Sequence, residues 1–305
     1  MSCISDYLCG YLLIMLFTIG KSENFRLEHG PGWFYPEDDS WPPTCKGNKQ
    51  SPIEIYDSAV QRFSEPSWKL KFVNYDKTIS CEVANEGHTV MIFINKDDDI
   101  YTVGGGLKGK YYLKQIHFHW KSEHKLNGNR LPLEAHFVHS INKGDHPHRV
   151  KRANVSSDDD IHVIGVLFML AIDENKEMLN VIKAIKETPA VASTTKIKFT
   201  PRVLLPRDMT EFYRYEGSLT TPPCYEIVHW TIFPKMVTLS LDQYDIIRET
   251  EGFGGKYTHN YRHIMPLNNR TVKLYRTSYN GGALSPGTQS AKWIYAIIFV
   301  IFFMF

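Results

Sequence analysis

Two short segments constrain this chain more than any other part of it. Residues 115–120 read Gln-Ile-His-Phe-His-Trp, and residues 134–140 read Glu-Ala-His-Phe-Val-His-Ser. Both follow the two-residue period of a β-strand with one face buried. Gln115, His117 and His119 therefore share one face, while Ile116, Phe118 and Trp120 share the other, which reads as core. In the second segment Glu134, His136 and Val138 share a face, and Ala135, Phe137 and His139 point the opposite way.

Two imidazoles at i and i+2 can converge on one ion about 2 Å from each nitrogen. If the second strand pairs beside the first, His136 supplies a third ligand. Three imidazoles leave one tetrahedral position open, the arrangement of a catalytic zinc rather than a closed structural site. Calcium and magnesium prefer oxygen ligands, so Zn2+ is the expected cofactor. Metal-bound histidines usually donate their second ring N–H to a partner, and Gln115 and Glu134 lie on the correct face for that. Spacing alone leaves a plainer alternative open, in which His117 and His119 are satisfied strand histidines.

The surrounding chain agrees with a sheet. Aromatic residues make up 13% of the 305 residues, a bias toward strands. Runs rich in Val, Ile, Phe and Tyr recur at Thr78–Val83, Thr89–Asn95, Tyr111–Trp120, Glu134–Ile141, His162–Ile172 and Glu226–Phe233. Helical patterns are few. Glu174–Thr188 places Met178, Leu179, Ile182 and Ile185 at helical spacing, and Leu241–Glu249 is a second candidate. No repeat or low-complexity linker divides residues 30–277, so one β-dominated domain is expected over 21–277. The formal charge of +2 and the lack of a long basic run give no sign of nucleic-acid binding. The polar stretch 142–160 reads as a solvated insertion, in which His146 and His148 could hold a metal only loosely.

Both ends are apolar. Residues 7–19 followed by Gly20 resemble a secretory signal, expected to be removed as 1–20, although Asp6 stands where a basic residue is usual. Small residues Asn280-Gly281-Gly282-Ala283, a polar spacer to Lys292 and an apolar tail from Trp293 to Phe305 match a lipid-anchor signal. The attachment region and spacer are 278–292, the removed tail is 293–305, and Asn280 is the first choice for attachment, with Ser278, Gly281 and Gly282 as competitors. A tail this short is a poor spanning helix. The expected location is the outer face of the plasma membrane, with secretion or a membrane-embedded tail as alternatives. Asn154 and Asn269 head sequons for glycans. Cys3 and Cys9 fall in the signal, leaving Cys45, Cys81 and Cys224. An oxidising compartment favours one disulfide and one leftover thiol among these three.

These residues resemble the α-class carbonic anhydrases over about residues 33–273. Gln115–Trp120 is similar to the family's first zinc strand, and Glu134-Ala-His136 to its third-ligand element. Gly217-Ser-Leu-Thr-Thr-Pro-Pro223, Gln50-Ser-Pro-Ile53 and Pro266-Leu-Asn-Asn-Arg270 match three further signatures. The resemblance implies a mostly β (α+β) fold: one domain around a large, twisted, mainly antiparallel central sheet with a few peripheral helices. It implies hydration of carbon dioxide to bicarbonate and a proton by a zinc-activated hydroxide.

The resemblance also assigns roles. Thr220 would accept a hydrogen bond from the hydroxide and so orient it, with its own hydroxyl proton directed toward Glu123. Thr221 would help hold bicarbonate. Val138, Val163, Leu219 and Trp230 would form the apolar pocket for carbon dioxide, and His88 would shuttle the proton. His88 follows Asn85-Glu86-Gly87, which reads as an exposed strand entry. His124 and Tyr215 would join a structural network, and the Asn260 carbonyl would support a zinc histidine. Cys45 and Cys224 match the disulfide of extracellular members, which leaves Cys81 free and strand-buried. Aromatic sulfonamides are the implied inhibitors, and weak esterase activity is implied as well. His29, His139, His162, His229, His259 and His263 read as structural or surface residues. Three departures bear on rate: the short Trp120–Glu123 stretch, Glu86, and Met91. The alternative function is a catalytically inactive relative that serves as a cell-surface binding module.

Overall fold

A computed structural model describes Trp33 and residues 35–37, 40–64, 68–143, 160–253, 255–256 and 259–276. The expected signal segment, the anchor region with Asn280, and Asn154 with most of the polar insertion lie outside these residues. Asn269 lies inside them, exposed at a turn. Among the described residues no helix is long and apolar enough to cross a membrane.

Strand outweighs helix, 40% to 14%, in one domain. Ten strands run across the main sheet in the order Thr194–Phe199, Ile79–Asn85, Val90–Phe93, Tyr111–Trp120, Leu133–Ser140, Ile161–Ala171, Val228–Ile232, Glu211–Gly217, Lys273–Arg276 and Gln61–Ser64. Neighbours are antiparallel except at two junctions, Ile161–Ala171 with Val228–Ile232 and Lys273–Arg276 with Gln61–Ser64. The sheet is thus mixed and mainly antiparallel. Leu70–Val73, Tyr101–Gly104 and Val237–Ser240 extend it at the margins.

Alternation along the central strands divides the interior in two. Ile116, Phe118, Trp120, Ala135, Phe137, Ile164 and Phe168 join one apolar cluster, together with the buried side of the helix Leu179–Lys186. Val163, Leu167, Trp230 and Ile232 join a second cluster with Ile53 and Ile55. Along the strand Ile161–Ala171, Ile161, Val163 and Leu167 join the second cluster while Ile164, Val166 and Phe168 join the first, as a segment buried on both faces requires.

Two α-helices flank the sheet, α1 (Leu179–Lys186) and α2 (Leu241–Arg248). The expected helix over Glu174–Thr188 is shorter at both ends. Asn175 caps a 3-10 turn, Lys176–Met178, by accepting from Glu177 N–H. At the other end the Thr188 hydroxyl turns back to the Ala184 and Ile185 carbonyls, and Pro189 follows. Leu179 was expected on the buried stripe but is exposed. Met178, Ile182 and Ile185 are buried as expected, and Val181 joins them. α2 begins at a capping box between Ser240 and Gln243, close to its expected bounds.

Cys45 and Cys224 are bonded, with Cα atoms 4.9 Å apart across 179 residues of sequence. Cys81 is free and buried on Ile79–Asn85, where burial pushes its thiol up to about 12. Closing so long a loop restricts the unfolded chain strongly. Replacing both bonded cysteines with alanine is expected to cost about 3–5 kcal/mol in urea unfolding. A loss below about 1 kcal/mol would contradict this account of the bridge. Cys81 should resist a thiol reagent at pH 8 in the native protein and react on unfolding; fast native reaction would contradict its burial.

Candidate metal centre

The backbone alone aligns two of the three histidines. His117 and His136 are directly paired across the antiparallel strands, and His119 pairs with Glu134. His119 extends the first strand's face by two residues, so all three rings share one side of the sheet. Ring centroids lie 4.9 Å apart for His117 and His119, 5.1 Å for His117 and His136, and 4.5 Å for His119 and His136. One ring nitrogen from each falls within 4.8 Å of the others.

The outer nitrogens identify which atoms face inward. His117 Nδ1 donates to Gln115 Oε1 at 2.8 Å. His119 Nδ1 donates to the Asn260 carbonyl at 2.7 Å, and a carbonyl can only accept. His136 Nε2 donates to Glu134 Oε1 at 2.9 Å. Each ring therefore carries its proton outward and turns a lone pair inward: His117 Nε2, His119 Nε2 and His136 Nδ1. His119 Nε2 is buried and has no hydrogen-bond partner. Burial lowers the His119 pKa, against the raising effect of the Glu123 charge, so the ring is neutral near pH 7. A buried orphan nitrogen within a set of three imidazole lone pairs is a poor arrangement for packing and a good one for zinc.

A second group, His124, Glu134 and His136, also clusters tightly. Its atoms are already engaged with one another. Glu134 Oε1 accepts from His136 Nε2 and from His124 Nδ1 at 2.7 Å, and Oε2 accepts from His124 N–H at 2.8 Å. His124 Nε2 lies 2.6 Å from the Tyr215 hydroxyl, which donates to Ser51 Oγ at 3.0 Å. This is a buried hydrogen-bond chain behind the centre. Burial alone would raise the Glu134 pKa, but His124 and His136 outweigh it and hold the carboxyl well below its usual range. Gly165, opposite His136, makes room for it. A Cβ there would stand 2.7 Å from Glu134 Oε1.

The remaining expected residues fall around this core. Val138, Val163, Leu219 and Trp230 share one apolar cluster, and the Trp230 ring stands 4.8 Å from that of His136. Trp230 Nε1 also donates to the Ser218 carbonyl, which fixes the segment carrying Leu219, Thr220 and Thr221. One expected contact is not formed, and one expected exposure needs correction. Thr220 is buried, but no Thr220–Glu123 hydrogen bond is formed. Glu123 Oε1 accepts from Arg262 N–H, while Oε2 has no hydrogen-bond partner and lies 3.6 Å from His119 Nε2. His88 is no exposed strand entry. It is 8% exposed and meets the Trp33 ring edge-on, because the N-terminal aromatic segment folds over it.

Asn260 does more than lend a carbonyl. Its side chain donates to the His88 and Phe118 carbonyls and accepts from Trp120 N–H, so one residue ties His88 to the first histidine strand. The sequence reading missed Arg262. Fully buried, it forms a forked pair with Glu37 and donates to Gln50, to the Ser51 carbonyl and to the Cys45 carbonyl. It thereby anchors the backbone N–H that holds Glu123. Its only early signal was its place two residues after Asn260.

Comparison with known proteins places this geometry. The family description eukaryotic-type carbonic anhydrase matches residues 36–276. Carbonic anhydrase 6 of Mus musculus is 35% identical over 285 residues, covering 86% of this chain and 84% of that protein. Carbonic anhydrase 7 of Homo sapiens is 34% identical over 265 residues, covering 79% and 96%. Carbonic anhydrase 1 of Oryctolagus cuniculus is 33% identical over 240 residues, covering 74% and 99%.

Removing the charge behind His136 should loosen the centre without removing a ligand. Glu134→Gln is expected to weaken zinc binding about 10- to 100-fold in a chelator competition, with the fold retained by circular dichroism. Unchanged affinity would show that Glu134 does not orient the ring.

Proposed function

The chain belongs to the eukaryotic-type carbonic anhydrases, and from that premise we propose that it hydrates carbon dioxide reversibly at a zinc ion held by His117, His119 and His136. The observation that carries this reading is the set of three inward lone pairs, with His119 Nε2 buried and unpartnered. Zinc in such a site supplies Lewis acidity, lowering the pKa of a water it polarises from 15.7 to about 7.

The chain's own residues do the rest. Gln115, the Asn260 carbonyl and Glu134 hold the three rings in the tautomers that bind metal. Thr220 orients the attacking oxygen. The acceptor this requires on Glu123 is Oε2, which has no other hydrogen-bond partner. Thr221 holds the bicarbonate product. Val138, Val163, Leu219 and Trp230 form an apolar wall suited to an uncharged substrate without strong donors. An inactive binding module would be expected to have a broken centre; here the three rings converge.

His88 is assigned the export of the proton. Its Nδ1 donates to the Glu86 carbonyl at 2.9 Å, so Nε2 is the atom that takes the proton. Histidine is the side chain whose ordinary charge change lies near neutral pH, which suits it to load and unload a proton in each cycle. The anchored extracellular location is part of the same proposal, as is inhibition by aromatic sulfonamides.

Two outcomes test these assignments. His88→Ala should lower stopped-flow hydration at least about tenfold, with free imidazole restoring it. Undiminished turnover, or a slowed variant that imidazole leaves unchanged, would remove His88 from the proton path. For the location, phosphatidylinositol-specific phospholipase should release the protein from intact cells. Retention on the cells would contradict a glycolipid anchor.

A further inference from the structure

The face of the sheet away from the three imidazoles carries a second concentration of charge that the proposed reaction does not use. Along Glu211–Gly217, Tyr213 and Tyr215 belong to the apolar cluster on the imidazole side. Arg214 and Glu216 alternate to the other side, as His229 does between Val228 and Trp230. There they border a cavity of about 250 Å³ whose wall includes Trp68, Tyr275, Lys108 and Lys273. The Trp68 and Tyr275 rings stack 4.6 Å apart, nearly parallel at 11°. Gly106, at φ +80°, lets the backbone turn against Trp68, where a Cβ would collide with the indole.

The charges do not cancel locally. His229 spans two carboxylates, with Nδ1 2.8 Å from Glu216 and Nε2 2.9 Å from Asp160. Nδ1 hydrogen-bonds to Glu216, which raises the ring's pKa, while Asp160 Oδ1 stands close to Nε2 without forming a hydrogen bond. The two nearby negative charges are therefore shared with His229. Arg214 has no such partner. It is 7% exposed, and no carboxylate lies within 4.0 Å of it among the described residues. One amino group donates to the Gly105 carbonyl at 3.2 Å, while Nε is buried with no hydrogen-bond partner. Burial lowers its pKa to about 10, which leaves it charged at neutral pH. Its remaining support is the Phe212 ring at 5.6 Å and the more distant Glu216 charge. A buried guanidinium with no carboxylate paired to it is costly, and a planar oxyanion satisfies it best through paired N–H donors.

We propose that this cavity is an anion site, separate from the metal centre, in which Arg214 binds the carboxylate group of a small monoanion with Lys108 and Lys273 at its rim. Carboxylate chemistry has two sources here, bicarbonate and organic carboxylates. The aromatic residues Trp68 and Tyr275 in the lining favour a ligand that also carries a ring.

The test uses the zinc-loaded protein with its metal centre blocked by an aromatic sulfonamide, at constant ionic strength. Binding of 4-fluorobenzoate is followed by fluorine NMR, with sodium bicarbonate, acetate and chloride as competitors. Saturable binding is expected, weakened at least about tenfold in Arg214→Met and tightened about threefold in Glu216→Gln. Competition by bicarbonate or by acetate would support the site and identify which source it accepts. Glu216→Gln retains a hydrogen-bond acceptor for His229, so it answers the question even if Arg214→Met fails to fold. Absent binding, chloride competing as well as the carboxylates, or affinity unmoved by Glu216→Gln would overturn the proposal.

Discussion

A slip of one residue between Tyr111–Trp120 and Leu133–Ser140 would turn His136 to the wrong face of the sheet and destroy the centre. Register is therefore the constraint on which everything else rests. It is fixed from the apolar side, where Ile116, Phe118, Trp120, Ala135 and Phe137 are buried in one core that a one-residue slip would turn outward. It is fixed again on the polar side, where Glu134 reaches both His136 and the following loop through His124. The proposed ligands are thus positioned by a hydrophobic pairing on the opposite face of the same strands. That is what allows three neutral imidazoles to be kept close together inside a protein.

The interior is unusually polar for a sheet buried on both faces, and each buried charge is handled differently. Glu134 accepts three hydrogen bonds from histidine groups. Arg262 is matched by Glu37 and by several acceptors around Gln50 and Cys45. Arg214 is left largely unmatched, with one carbonyl bond and an orphan Nε. A missing partner for a buried polar group is costly, so such sites are where a ligand is most expected. His119 Nε2 and Arg214 Nε are two such atoms, one on each face of the same sheet.

The parts legible in the sequence were those governed by local periodicity. The bounds Tyr111–Trp120 and the division of its two faces follow from alternation alone. So did the placement of Gln115 and Glu134 beside the rings, because a two-residue step along a strand sets it. Long-range partners were not legible. Arg262 and Glu37 stand 225 residues apart, and no pattern near either announces the other. The burial of His88 depends on Trp33, from a separate aromatic segment, so its turn-rich flank gave the wrong exposure. Leu179 obeyed helical spacing yet faces outward, because a 3-10 turn shifted the start of the helix. Thr220 and Glu123 were linked only through family resemblance, and their bond is not formed in the structure.

The central claim is that three imidazoles face one ion with their lone pairs. X-ray absorption on protein purified with excess zinc measures this directly, together with the metal content. One zinc per chain, with three imidazole nitrogens at about 2.0–2.1 Å and no sulfur, is the predicted result. A folded protein that remains metal-free, or a first shell lacking three imidazoles, would contradict it.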